Sequence, residues 1–380
     1  MKEKGRVSIL SIILTLLIFV VVGFIVYGLI FTDFFGLISR NEDSITIGGL
    51  INSFIPASTS ADTEIENVSA HEPILLDNNK EGNTTSNTAQ NRYYYNQLDT
   101  YGKIIYKGFE DNKENMKSGT YVIDFGTEFN DLLNSGNGEE TLNVAFQSAW
   151  NAYTYDNMDL FYIDVEKLTL ITRTRTIGNN STHTVELSNG DNSSYLKSNF
   201  STREEIDSTL NLLEAMRSEI EKQIEQYDDV EKMRQVHNWL INTVEYDIDF
   251  ESEEPYSIVG ALIENKAVCE GYARAYKYIM DGLGIPCILV SGAGTNSNGE
   301  TESHAWNYIQ INNAWYAIDT TWDDPVAIGN AYISEEDRYE NFLRGSDAFY
   351  RNHHEDGYLS PGSIEFTFPE LSAEDYPYNS

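Results

Sequence analysis

The chain has 380 residues, with 60 Asp and Glu against 25 Lys and Arg and a formal net charge of −35. So acidic a balance argues against nucleic acid as a partner, because phosphate contacts need a basic surface. Hydrophobic residues at 41% suffice for real cores, and the length allows two domains plus accessory segments.

Lys2, Lys4 and Arg6 precede an uncharged stretch from Val7 to Thr32. That stretch is longer than the roughly 20 residues a spanning helix needs. No Ala-x-Ala cleavage pattern follows near Phe31 to Ile38, so the expectation is a retained transmembrane signal anchor over 1–34. Residues 7–32 would engage the lipid bilayer as a single pass. The charge asymmetry places the amino end in the cytoplasm and the rest of the protein outside, at the cell membrane. Residues 35–91 read as a disordered linker, rich in Asn, Ser, Thr and acidic side chains, with Asn83-Thr84-Thr85-Ser86-Asn87-Thr88 the least patterned part.

Residues 92–200 read as a small α+β accessory domain. Tyr94, Leu98, Tyr101, Ile105 and Phe109 form one helical stripe, and Leu142, Phe146, Trp150 and Tyr153 another. Stripes at helical spacing read as core rather than as a ligand groove. Strands are expected over 121–125, 160–163, 167–176 and 183–187, with Gly178-Asn179-Asn180 as a hairpin turn. No chemical motif occurs in this region.

Residues 201–380 read as the catalytic domain. Ser201 is the expected cap of a long helix and Glu204 the closing residue of its capping box. A second helix covers 230–244; His237 lies beside its apolar stripe and reads as a structural histidine. Apolar residues at Tyr272, Tyr276, Ile279 and Leu283 predict a third helix, stopped by Gly282 and Gly284. Cys269 falls at the first turn of that helix. Free backbone N–H groups and the helix dipole there favour a thiolate. Cys287, in the apolar run that follows, reads as a packed, inert thiol.

His304 to Ile311 and Ala314 to Thr320 predict a hairpin about Asn312-Asn313, since asparagine tolerates the positive φ of a two-residue turn. Counting outward from the turn pairs Ile311 with Ala314 and Trp306 with Asp319. His304 is then the diagonal neighbour of Asp319, about 7–8 Å away between Cα atoms. A thiol, an imidazole and a carboxylate follow one another with compatible local geometry, as a nucleophile, a base and an orienting acid require. Asp323 and Asp324 fall past the strand end.

The blocks Val268-Cys269-Glu270-Gly271-Tyr272-Ala273, His304-Ala305-Trp306-Asn307 and Trp315-Tyr316 through Asp319 to Trp322-Asp323-Asp324-Pro325 resemble the bacterial transglutaminase-like superfamily. The resemblance extends upstream through Val236-His237-Asn238-Trp239-Leu240 and Val244-Glu245-Tyr246-Asp247, and covers most of residues 201–345. It implies an α+β protein with a papain-like core, in which a catalytic helix packs on an antiparallel sheet. It further implies Cys269 as nucleophile, His304 as general base and acid, and Asp319 as the residue that orients His304. Members of the family divide into transglutaminases, peptidases, deamidases and inactive proteins. The motifs leave open an acyl transferase or amide hydrolase, a cell-envelope peptidase, or a wall- or protein-binding module. Protein or peptide substrates, cell-wall peptides among them, are the expected partners.

No cofactor and no metal is expected: the chain contains no His-Glu-x-x-His and no Cys-x-x-Cys. His353-His354-Glu355-Asp356 reads as a solvated polar turn. Phe366-Thr367-Phe368 is the expected closing strand, and Tyr256 the expected side-chain donor to an oxyanion.

Overall fold

A computed structural model describes residues 92–190, 193–324 and 337–377. The anchor and linker expected over 1–91 lie outside the described residues. Among the described residues no helix is long and apolar enough to cross a membrane.

The first aromatic stripe is helical only in part. Helix α1 spans Thr100–Met116, because Asp99 takes the N-cap and accepts the Gly102 N–H at 2.7 Å. Tyr94 and Leu98 are buried ahead of it. Short helix α2, Asn130–Leu133, precedes α3, Gly138–Asp156. Phe109 of α1 stacks on Tyr153 of α3 at 5.4 Å, so the stripes are core, as their spacing implies. Strands β1 (Ile123–Gly126), β2 (Thr169–Ile177) and β3 (Asn180–Ser188) form an antiparallel sheet in the order β1-β3-β2. Gly178, at φ +63°, opens the tight turn that pairs Ile177 with Asn180. The stretch 160–163 is not a strand; it makes an isolated bridge from Ile163 to Leu196.

Helix α4, Arg203–Ile224, starts one residue later than expected. Thr202 rather than Ser201 is the cap, and Glu205 returns the bond to the Thr202 N–H. Ser201 instead donates its hydroxyl to Glu205. Helix α5, Asp229–Thr243, leads into β4, Glu245–Tyr246, which pairs in parallel with β5, Lys266–Ala267. Between them runs a π-helical turn, Gly260–Glu264. Helix α6, Cys269–Gly282, ends where Gly284 adopts φ +70°.

A four-stranded antiparallel sheet completes the fold. It comprises β6 (Cys287–Thr295), β7 (Thr301–Ile311), β8 (Ala314–Ile318) and, after helix α7 (Ser346–Phe349), strand β9 (His353–Glu355). The order is β8-β7-β6-β9. The edge expected for 366–368 is thus taken by β9; Phe366 is buried but belongs to no strand.

Helix α6 lies on this sheet, as an α+β fold with a helix on an antiparallel sheet requires. Ala273 packs against Leu289 and Ala305, and Asn307 donates to the carbonyls of Ala273 at 3.0 Å and Ile288 at 3.3 Å. The 92–200 region joins the same compact unit. Arg274 of α6 donates to the Thr154 carbonyl at 2.7 Å, and the Tyr94 hydroxyl donates to the Leu289 carbonyl.

Candidate active site

Cys269 is the first residue of α6. Its N-cap, Val268, is extended and offers no side-chain cap, so the first N–H groups of the helix have no intrahelical acceptor. Two backbone bonds deliver the cysteine there: Asp247 N–H to Ala267 O and Val268 N–H to Pro255 O, both at 3.0 Å. Gly271 is required by close approach. A Cβ at that position would lie 2.5 Å from the Pro255 oxygen and 2.7 Å from the Ala267 Cβ. The Tyr272 hydroxyl lies 2.9 Å from the Val244 carbonyl and 2.6 Å from Asp324 Oδ2, pinning the first turn of the helix.

The two asparagines set the hairpin. Asn312 and Asn313 adopt φ +51° and +66°, and Ile311 pairs with Ala314, with the register continuing to Asn307 opposite Ile318. Past the last paired residues, His304 Nε2 lies 2.6 Å from Asp319 Oδ2, both side chains buried. The Cys269 thiol faces the same ring. With Nε2 taken by Asp319, that leaves Nδ1 for the sulfur. Burial pulls the His304 ring down, but Asp319 and then the thiol outweigh it and push it up to about 10. Burial likewise acts to raise Asp319; His304, and after it His353, hold its carboxyl well below the usual carboxylate range. Trp322 stacks on the His304 ring at 5.0 Å. A Cβ on Gly294 would come 2.7 Å from that indole and 3.3 Å from His304 Cδ2, so glycine leaves room for both rings.

His353 is not in a solvated turn. It is fully buried, and its Nε2 lies 3.1 Å from the same Asp319 oxygen. In β9 only His353 is buried, while His354 and Glu355 are exposed, so its polar neighbours mask a buried position. Asp319 Oδ1 accepts the N–H groups of Thr321 at 3.0 Å and Trp322 at 3.2 Å, so every bond fixes the carboxylate. Ligand atoms of His304, Asp319 and His353 lie within 4.8 Å of one another. Their contacts at 2.6 and 3.1 Å are nevertheless those of hydrogen bonds. Nitrogen and oxygen ligands on tetrahedral zinc, each about 2.0–2.1 Å from the metal, stand roughly 3.3 Å apart.

The other candidates are placed elsewhere. Asp323 accepts from buried His237 at 2.9 Å and from the Asn341 N–H at 2.8 Å, so His237 is a structural histidine. Cys287 is 4% exposed, and burial pushes its thiol up. Tyr256 is half-exposed, its ring beside Phe250. The tyrosine at the nucleophile is Tyr246, whose hydroxyl meets the Cys269 backbone N–H; burial and then Cys269 push it up to about 12. Tyr246 sits in the Val-Glu-Tyr-Asp block, and its pairing with Ala267 is what brings it to Cys269. Tyr155 of α3 packs against the same small cluster as Cys269, with the Arg274 guanidinium 5.3 Å from its ring centre. The 92–200 region therefore supplies one wall of the site.

Residues 218–320, which contain Cys269, His304 and Asp319, match the Transglutaminase-like superfamily. The kyphoscoliosis peptidases of Mus musculus and Homo sapiens are each 28% identical over 109 residues, 26% of this chain. The match spans only 16% of the length of these curated relatives. Among solved structures, a TGase aligns with 16% identity and a TM-score of 0.28, covering 45% of this chain and 48% of that one. The periplasmic domain of TgpA from Pseudomonas aeruginosa aligns with 13% identity and a TM-score of 0.24, covering 41% and 63%. The described chain is a mixed α/β protein whose core over residues 218–320 is transglutaminase-like by the family match.

Proposed function

We propose, from the premise of that core, that the protein is a cysteine-dependent acyl transferase or amide hydrolase acting outside the cytoplasm on proteins or cell-envelope peptides. One observation carries the reading: the His304 ring is held by Asp319 on one nitrogen and faces the Cys269 thiol, which stands at a helix amino end. The Cys269 proton passes to His304 Nδ1, and the thiolate sulfur bonds to the carbonyl carbon of a substrate amide. The carbonyl oxygen takes the negative charge. The backbone N–H of Cys269 would meet that charge, and Tyr246, a hydroxyl beside it that keeps its proton, would be a second donor. The C–N bond breaks as His304 returns the proton to the leaving amine or ammonia, leaving a thioester on Cys269. Water or a second amine, giving its proton to His304, then takes the acyl group and frees the thiol.

The names of the mouse and human relatives favour hydrolysis over transfer as the second step. The membrane-anchored placement is a proposal that rests on Val7 to Thr32. The test is mass spectrometry of the purified protein incubated with wall peptides and an amine probe. Hydrolysis adds water, deamidation shifts the mass by about one unit, and transamidation adds the amine. A covalent adduct on Cys269 is expected. No adduct and no product under any of these conditions would leave a binding module as the function.

A further inference from the structure

Asp319 is shared. Its Oδ2 lies 2.6 Å from Nε2 of His304 and 3.1 Å from Nε2 of His353. The second histidine comes from β9, on the far edge of the sheet from β8, and lies beyond the segment that matches the superfamily. Its ring is fixed on every side. Phe349 stacks on it at 3.9 Å with an interplanar angle of 11°, Trp322 lies at 4.4 Å and Trp306 meets it edge-on at 5.1 Å. Its Nδ1 lies 2.9 Å from the Asn352 side-chain oxygen. The position admits only a small neighbour: a Cβ on Gly292 of β6 would meet the His354 carbonyl oxygen at 2.0 Å. A buried imidazole nitrogen needs a hydrogen-bond partner to offset its desolvation, and for Nε2 that partner is the Asp319 carboxylate.

We propose that His353 is a second positioning residue for the triad, acting through Asp319 to hold the carboxylate and to moderate its grip on the His304 proton. The proposal rests on the triad reading above. An ionised carboxylate oxygen that accepts one donor presents its charge to that donor. The same oxygen accepting two donors divides it. With His353 in place, Asp319 orients His304 without locking its proton into a permanent ion pair, so His304 can both take a proton and return it. The titratable groups that face His304 are Asp319, Cys269 and His353. Tyr246, with Glu302 near it, stands at the Cys269 end of the site. Of these groups, His353 bonds to Asp319 from the side away from the helix of Cys269.

The sign follows. Removing the His353 donor leaves Asp319 Oδ2 to His304 alone, which stabilises the imidazolium and raises its midpoint. The experiment is NMR of the full chain with isotope-labelled histidine, following the His304 ring against pH in the wild type, His353→Phe and His353→Gln. His353→Phe is expected to raise the His304 midpoint by about one pH unit, the size of one hydrogen bond to a charged group. His353→Gln, which keeps a neutral donor, is expected to restore most of the difference. An unmoved His304 midpoint in folded His353→Phe overturns the proposal and leaves His353 a packing residue. If His353→Phe does not fold, the wild-type spectrum decides. A protonated Nε2 on His353 throughout the neutral range supports the shared carboxylate, and a bare Nε2 there overturns it. Neither readout uses a substrate. A Cys269 inert to every acylating or alkylating probe would remove the proposed function while the His304 midpoint still judges His353.

Discussion

Asp319 sits one residue past Ile318, the last paired residue of β8, and from there its Oδ2 reaches His304 Nε2 at 2.6 Å. The pair closes across the open end of a hairpin whose register is set by two asparagines. Asp323 and Asp324, four and five residues on, serve His237 and Tyr272 instead. Asp319→Asn is therefore expected to preserve the fold and to lower turnover about 10⁴-fold, as a wrong histidine tautomer does in comparable triads. Asp323→Asn should lower stability by about 1–3 kcal/mol through its buried bonds while leaving turnover within tenfold. Parallel measurements of kcat and thermal unfolding separate the two; a mild Asp319→Asn beside a crippling Asp323→Asn would reverse the assignment.

The two thiols are controls for one another. Cys269 is half-buried and meets His304, whereas Cys287 is 4% exposed and burial raises its thiol. Iodoacetamide at about pH 6, well below the free-cysteine range, should label Cys269 and spare Cys287 in the folded protein. His304→Ala should slow labelling of Cys269 markedly, and Cys287→Ser should leave both labelling and activity nearly unchanged. Peptide mapping after timed quenching checks this, and equal slow labelling of both cysteines counts against a catalytic Cys269.

The His304–Asp319 pair gives stability a specific pH dependence. The folded-state value of His304 is raised to about 10, so its contribution is complete below the unfolded value of about 6.5 and is lost as pH rises towards 10. The depressed Asp319 contributes above its unfolded value, near 4, and loses that contribution only in strong acid. Asp156, raised to about 7, and Asp323 and Asp324, raised to about 6, also make stability fall as pH rises, but below neutrality. The difference between wild type and His304→Gln should therefore shrink between about pH 7 and 10. Denaturant titrations across that range measure it; a difference that grows would contradict the sign.

Gly294→Ala tests the crowding around the general base. The added methyl would stand 2.7 Å from Trp322 and 3.3 Å from His304 Cδ2. Turnover should fall by about 10²-fold, as ring misplacement of about 1 Å does, with a destabilisation of about 1–3 kcal/mol from overpacking. A variant as destabilised as this but fully active would show that His304 needs no such exact placement.

Protease added to intact cells should remove the catalytic region, given the uncharged stretch from Val7 to Thr32 and the positive residues before it. Full protection, with cytosolic markers equally protected, would place the catalytic region inside.

Much of the site was legible because its parts are local. The helix start at Cys269 and the two-asparagine turn each follow from a few adjacent residues, and from them the approach of His304 to Asp319. What was missed depends on distant packing. His353 stands between charged and polar neighbours that disguise an inward-facing strand position, and its partner lies 34 residues away. Tyr246 reaches Cys269 through a parallel pairing of two-residue strands too short to carry a periodic signal. The capping shift from Ser201 to Thr202 is a choice between adjacent hydroxyls that sequence pattern does not resolve.

The tight hairpin has a consequence for the order in which the protein assembles. His304 and Asp319 are 15 residues apart on strands joined by a two-residue turn, so their encounter is a local event of about 1–10 μs. Cys269 must instead be brought up by docking α6 on the sheet, a non-local closure that comes at greater entropic cost. The acid–base half can thus form before the sulfur arrives, and the thiol gains its proton acceptor only once the chain is essentially folded. A nascent chain emerging beside other proteins therefore carries no armed nucleophile until its own packing is complete.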